Sequence, residues 1–292
     1  MESGELVPAW FRNSIAVVPE TGRVCVEGSY IEWAAWGLTS RPGLLLLPGS
    51  AAHIGWWGFL APFFAERHRV VTLSWSGTGK SDWRTRYTSR LFAEEALASA
   101  EAAGLFGSGH KPVIIGHSFG GFVAITVTGM VGERFRAAVI ADSRLTPTAR
   151  WAIMPERERP PRVYPSEEHA FKAFRLSPVQ SIQNRFIRDW LARDAIAPTG
   201  DGSGWTWRAD PNVRVKTLIE NGGDLITDAR CPLAFIRGSN SGVATDEIWS
   251  LHRTQAPPQT PFIEIPEAAH HLMIDQPVAV VGVLRALLAS LP

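Results

Sequence analysis

The stretch Gly116-His117-Ser118-Phe119-Gly120-Gly121 constrains this chain more than any other. It follows the apolar run Pro112-Val113-Ile114-Ile115 and precedes Phe122-Val123-Ala124-Ile125, so the pattern reads as buried strand, tight turn and helix with a serine at the apex. A serine at such an elbow takes a left-handed φ and brings the residues two before and two after it together, where only small residues fit. Gly116 and Gly120 stand at those positions. The hydroxyl is then exposed above the sheet, and the Phe119 N–H points from the helix N-terminus toward an oxyanion formed beside Ser118. An ordinary glycine-rich turn is the alternative; the flanking strand and helix patterns favour a nucleophile.

Further landmarks follow in a fixed order. They are Leu44-Leu45-Leu46-Leu47-Pro48-Gly49-Ser50, then Arg69–Trp75 with Gly77-Thr78-Gly79-Lys80-Ser81-Asp82, and near the C-terminus Phe262–Pro266 with Glu267-Ala268-Ala269-His270-His271. Taken with the elbow, this set resembles the α/β-hydrolase superfamily over residues 14 to 290. The resemblance implies an α/β fold, a mostly parallel doubly wound sheet carrying a helical cap. It makes Leu44–Ser50 the strand and oxyanion turn, with Pro48 where a histidine is usual, and 77–82 the family's glycine loop.

Composition fits one compact unit with an inserted lid: 292 residues, 45% hydrophobic. A net charge of +1 argues against a nucleic-acid footprint or an electrostatic membrane anchor. The N-terminus lacks a signal-peptide pattern and no apolar run approaches a membrane span, so a cytoplasmic location is expected. Cys25 and Cys231 read as buried free thiols rather than a disulfide or metal pair. A homodimer is compatible with all of this.

Along the chain, Ile15–Val18, Arg23–Glu27 and Ile31–Trp36 read as N-terminal strands at an antiparallel edge. Leu44–Leu47, Val70–Trp75, Val113–Gly116, Ala137–Ala141, Leu233–Ile236 and Phe262–Ile265 supply parallel core strands. Helices fit near 56–66, 89–103, 119–131, 245–255 and 277–290. Residues 145–229 break the alternation: they open on the proline-rich Met154–Pro161, show no convincing strand, and carry helical patterns near 166–176, 179–195 and 212–227. The aromatic anchors Phe171, Phe174, Phe186, Trp190, Trp205 and Trp207 argue for an ordered segment rather than a linker. By resemblance 145–229 is the cap, between the core segments 1–144 and 230–292.

A serine nucleophile needs a base and a group that orients it. Both His270 and His271 follow the last core strand; the family pattern selects His270, with His271 a neighbour that faces the cap. His117 reads as packing. The family's commonest acid lies in a turn reading Gly-x-x-Asp after the cap, but here the turn reads Gly238-Ser239-Asn240-Ser241. Asp246 stands five residues later, where it opens a helix. Asp142, at the end of the strand beside the nucleophile strand, occupies a position that some members use, and is assigned as the acid. By resemblance the oxyanion hole pairs the Phe119 N–H with that of Ser50, Ala51 being the alternative. His53, Trp56, Trp57, Trp205, Trp207 and His271 are candidates for pocket walls, with packing the plainer role for each.

These residues imply cleavage of a carboxylic ester or related acyl bond of a small, largely apolar substrate through an acyl-enzyme, without metal or organic cofactor, since no Cys/His/Asp cluster has ligand spacing. Lactonase, C–C bond hydrolase, perhydrolase and cofactor-free dioxygenase chemistry share the triad. A non-catalytic ligand receptor or scaffold is the reading from another class.

Overall fold

A computed structural model describes residues 7–145, 158–218 and 225–291. The front of the proline-rich stretch and part of the 212–227 pattern lie outside these.

Eight strands form the central sheet: β1 (Glu20–Val26), β2 (Ser29–Trp36), β3 (Gly43–Leu47), β4 (Arg69–Leu73), β5 (Val113–His117), β6 (Ala137–Ala141), β7 (Leu233–Gly238) and β8 (Phe262–Ile265). Their order is β1-β2-β4-β3-β5-β6-β7-β8. Only β1 with β2 and β2 with β4 pair antiparallel; every other neighbouring pair is parallel. Parallel pairing demands crossovers, and these place helices on both faces, which is why the inner strands are continuous apolar runs.

Successive residues of β3 face opposite layers, although all of Leu44–Leu47 are fully buried. Leu44 and Leu46 join a cluster with Phe11 of α1 (Ala9–Ile15), Trp56 and Trp57 of α2 (Gly55–Gly58), and Leu284 and Leu287 of α9 (Pro277–Ser290). Leu45 and Leu47 join the opposite cluster, with Phe92 and Ala96 of α3 (Ser89–Ala102) and Val123 and Val127 of α4 (Phe119–Val131). Thr88 caps α3 by accepting from the Leu91 N–H at 3.0 Å.

Three expectations need correction. Ile15 ends helix α1 instead of opening a strand, because Phe11 buries against Phe59 on one side of this seven-residue helix. The helix expected over 56–66 breaks into α2 and a 3-10 turn at Ala61–Phe63, where Pro62 cannot continue an α-helix. Cys25 is exposed and Cys231 only half-buried, since both sit at margins of the sheet.

Between β6 and β7 the described residues 158–218 hold α5 (Glu167–Lys172), α6 (Arg185–Asp194) and α7 (Val213–Lys216). They also hold strands that the sequence did not announce. Ile196–Pro198 pairs antiparallel with Trp205–Trp207, and Thr217–Leu218 pairs with Tyr87–Thr88. Ile187 and Leu191 bury one face of α6 in the cluster built on α1 and α2. Tyr164, Ala170 and Ile196 form a small separate cluster with Trp205 and Trp207 packed against it. No helix among the described residues is long and apolar enough to cross a membrane.

Candidate active site

Strand β5 runs directly into α4 through Ser118, whose φ of 55° and ψ of −120° lie in a region that side-chain-bearing residues rarely adopt. The neighbours permit this because they lack side chains. A Cβ on Gly116 would sit 2.1 Å from the Gly120 carbonyl oxygen, and one on Gly120 only 2.3 Å from that of Leu47. The Ser118 N–H donates to Ala141 O at 2.9 Å, which pins the elbow to the end of β6.

Immediately after Ala141 comes Asp142, fully buried and also at a positive φ, 47°. Its backbone N–H donates to Ile236 O of β7 at 2.7 Å. The carboxylate has its own cradle: Oδ2 accepts from the Gly238 N–H at 2.8 Å, and Oδ1 accepts from the Ser241 hydroxyl at 2.5 Å. The same Oδ1 lies 2.8 Å from His270 Nδ1, and His270 Nε2 lies 2.9 Å from Ser118 Oγ. The structure therefore brings Ser118, His270 and Asp142 into one hydrogen-bonded chain. A carboxylate acceptor at Nδ1 places the ring proton there and leaves the Nε2 lone pair for the serine hydroxyl. Such a chain can move a proton from Ser118 to His270 while the Asp142 charge faces the imidazolium.

The loop that delivers His270 is held from several sides. Glu267 takes a φ of 60°. A Cβ on Gly238 would lie 2.3 Å from Ala268 O, so the end of β7 touches the loop directly. The Ala269 N–H donates to Asp275 Oδ2 at 2.8 Å, and Gln180, from the segment between β6 and β7, binds the same carboxylate while accepting the His271 N–H at 2.9 Å. Asp246 is elsewhere. It is the first residue of α8 (Asp246–Gln255), capped by Thr245, and its exposed carboxylate pairs with Arg237 at 2.6 Å.

The Pro48-Gly49-Ser50 turn passes beside the nucleophile: a Cβ on Gly49 would lie 3.5 Å from Ser118 Cβ. Ala51 follows at a φ of 57°. Instead of a histidine, two indoles secure the turn, Trp57 Nε1–H donating to Leu47 O and Trp75 Nε1–H to Pro48 O, each at 3.0 Å.

The expected pocket residues divide. Trp56 is buried with its ring 5.2 Å from that of His271. Trp57 is a correction: it is wholly enclosed in the core with its N–H already used, so it is no pocket wall. Trp205 and Trp207 are half-buried against Tyr164 and Ala170, and the Trp207 N–H donates to Ala170 O at 3.2 Å. Their rings hold the 158–218 segment together. His53 is a tie between layers. Its Nε2 meets Leu191 O of α6 at 3.3 Å, while Nδ1 lies 3.1 Å from both the Gly55 N–H and Asp194 Oδ2. A neutral ring with its proton on Nε2 donates to Leu191 O and accepts from Gly55; while that Leu191 bond is kept, donation to Asp194 needs a second proton, on Nδ1.

His117 is buried, as its packing role requires, and donates from Nε2 to His270 O at 2.8 Å. Burial, with His270 and His271 nearby, holds its pKa well below the ordinary histidine value. Burial and then His270 push His271 down to about 3. Both rings are therefore neutral. Together with His270 they form a group in which one ring nitrogen from each lies within 4.8 Å of the others.

Sequence reasoning missed Ser241, Gly238, Gln180 and Asp275. Ser241 had a local signal, since its Oγ also accepts from the Val243 and Ala244 N–H groups as a turn-forming serine does. Its bond to Asp142 spans 99 residues and left no trace in the pattern.

A sequence profile described as "Alpha/beta hydrolase family" matches residues 44–283. The esterase Rv0045c of Mycobacterium tuberculosis is 25% identical over 290 residues, covering 93% of this chain and 90% of that one. Its crystal structure superposes with a TM-score of 0.69 at 21% identity over 98% of this chain and 100% of that one. The thioesterase domain from the curacin biosynthetic pathway gives 0.72 at 18% identity, over 92% and 100%. The profile spans most of the chain, its boundaries enclose the turn at Pro48, the elbow and the histidine loop, and the chain belongs to the alpha/beta hydrolase family.

Proposed function

We propose that this protein is a serine hydrolase that cleaves a carboxylic ester, or a closely related acyl bond, of a small and largely apolar substrate. The observation that carries the reading is the unbroken chain from Ser118 Oγ through His270 to Asp142, at 2.9 and 2.8 Å, with both terminal residues at positive φ. Strain of that kind persists only where the surrounding structure imposes it, and it clusters at reacting groups. His270 Nε2 takes the Ser118 proton as Oγ bonds to the substrate carbonyl carbon. The oxyanion is held by the backbone N–H groups of Phe119, at the head of α4, and Ser50. Collapse of the tetrahedral species expels the alcohol, which receives the proton from His270. Water, deprotonated by the same nitrogen, then releases the carboxylic acid and restores Ser118. Asp142 fixes the His270 tautomer and stabilises the imidazolium. Trp56 and neutral His271 beside the base suit an uncharged substrate.

Residues 145–229 form the cap over this site. Gln180 and His53 support the assignment, because each links the segment to a loop next to the reacting groups. The esterase similarity supports ester over other acyl bonds.

A fluorophosphonate probe should label one serine per chain, and Ser118→Ala should abolish both labelling and hydrolysis of p-nitrophenyl esters graded in acyl length. A nucleophile acting as a unit with its base is worth up to about 10⁶-fold in kcat. Labelling that survives in Ser118→Ala overturns the nucleophile. Turnover of lactones alone, or strict dependence on O₂, overturns the ester assignment.

A further inference from the structure

His117, His270 and His271 meet in one buried group. Ring centroids lie 4.8 Å apart for His117 with His270, 4.8 Å for His270 with His271, and 5.7 Å for His117 with His271. None of the three is more than 3% exposed. Two rings have their tautomer fixed by an acceptor on one nitrogen: His117 Nε2–H faces the His270 carbonyl, and His270 Nδ1–H faces Asp142. The opposite nitrogens, His117 Nδ1 and His270 Nε2, are therefore bare lone pairs. His270 Nε2 meets Ser118, but His117 Nδ1 and both nitrogens of His271 have no hydrogen-bond partner among the described residues. Buried polar atoms without partners are rare, because each forgoes its hydration for nothing. The hydrolytic reaction uses none of these three nitrogens.

A ring held by an acceptor on one side and open on the other is the arrangement of a metal-ligating histidine, with the carboxylate behind His270 as the outer partner. We infer that His117, His270 and His271 form a site for a divalent transition-metal ion of the Zn²⁺ type, and that occupation inhibits the enzyme by taking the His270 Nε2 lone pair that Ser118 requires. Imidazole suits Zn²⁺, Cu²⁺ and Ni²⁺, whereas Mg²⁺ and Ca²⁺ select oxygen ligands. Zinc–nitrogen bonds of about 2.0–2.1 Å in a tetrahedron put ligand nitrogens about 3.3 Å apart. One ring must close on the others to reach that spacing, and His271, held by no side chain and facing only the Ser177 and Pro178 backbone, is the ring that can turn. Water fills the fourth position. The inhibition rests on the proposed mechanism; the binding does not.

Metal-stripped protein titrated with ZnCl₂ by calorimetry should bind one ion per chain in this site. Esterase activity should fall in step and return with EDTA, while MgCl₂ and CaCl₂ leave it unchanged. Ser118→Ala, inactive by design, should still bind Zn²⁺, which separates failure of the site from failure of the catalytic reading. His271→Phe should weaken binding at least about tenfold, since even outer-partner losses cost 10–100-fold, and its inhibition should shift by the same factor; His271→Gln is the second variant if the first fails to fold. Wild-type protein that binds no Zn²⁺, or a folded His271 variant that binds as the wild type does, overturns the site. Binding with undiminished activity overturns the inhibition.

Discussion

The loops at the carboxyl ends of β5, β6 and β8 and the segment between β6 and β7 border the same site but are built by different means. In the loops, position is set by the backbone: Ser118, Asp142 and Glu267 hold positive φ, and glycines at 116, 120 and 238 let adjacent chains touch. The segment at 158–218 has short helices, strands of two or three residues, and a cluster with only Tyr164, Ala170 and Ile196 fully enclosed. It is moored by side chains, through Ile187 and Leu191 in the main core and through Gln180 and His53 beside the site. A sheet fixes the strand-end groups in place, whereas the segment can vary, away from its Gln180 and His53 ties, without disturbing them. Changes at the strand ends should therefore appear in kcat, and changes in the segment in KM and stability.

The largest test of that contrast is the proposed acid. Asp142→Asn should keep the fold but cut kcat about 10⁴-fold, since an amide at this position admits the wrong histidine tautomer. Asp246→Asn should leave kcat near normal, because that carboxylate is exposed and pairs with Arg237 at a helix start. Loss of a charge there costs about 0.3–1 kcal/mol of stability. Steady-state kinetics on both variants decide the matter, and collapse of Asp246→Asn with activity in Asp142→Asn would move the proposed acid from the end of β6 to the helix start after the neighbouring β7.

Next in size is Ser241, which donates to the same Asp142 oxygen that faces His270. Hydrogen bonds to charged groups contribute about 1.5–3 kcal/mol, so Ser241→Ala should lower kcat by about 10–100-fold with KM little changed. Because Ser241 Oγ also accepts two turn N–H groups, some loss of Tm is expected as well. Ser241→Thr, which keeps the hydroxyl, should recover most of the rate. A lowered Tm with an unaltered kcat would confine the hydroxyl to shaping the turn.

The contrast also explains what the sequence could disclose. Gly116, Ser118 and Gly120 are legible because a steric demand of the backbone admits few residue types, Asp142 because it directly follows the continuous apolar strand Ala137–Ala141, and His270 because it stands in the loop after the last strand, Phe262–Ile265. The Pro48-Gly49-Ser50 turn remained recognisable despite Pro48, and it runs beside Ser118. Ser241 and Gln180 were illegible because their partners lie 99 and 91 or more residues away and no periodicity encodes such a bond. The tryptophans failed differently. Trp57, Trp205 and Trp207 look alike in sequence to Trp56, and only packing decides which indole is enclosed in the core, which supports the inserted segment and which lies beside His271. The strand pair at Ile196 and Trp205 is too short to generate an alternation, so the segment read as wholly helical.

Acid separates the two regions once more, with the smallest effect. His252, packed on Phe235 of β7, is neutral in the fold because burial pushes its pKa down to about 4. The unfolded chain binds its proton below about 6.5, so folding stability is lost as pH falls from there toward the folded value, at up to about 1.4 kcal/mol per pH unit. Asp194, on α6, is the opposite case. Its bond to His53 lowers a carboxylate pKa, so its contribution is present above the unfolded value of about 3.9 and is lost only as pH falls below that. Thermal melts from neutral pH to pH of about 4.5 should therefore show a shallower loss of Tm for His252→Gln than for the wild type, whereas Asp194→Asn should run parallel to the wild type at a constant offset. Parallel curves for His252→Gln would mean that the buried imidazole does not resist protonation. An Asp194→Asn offset that already shrinks near neutrality would overturn the view that the lowered Asp194 carboxylate sets this part of the α6 mooring.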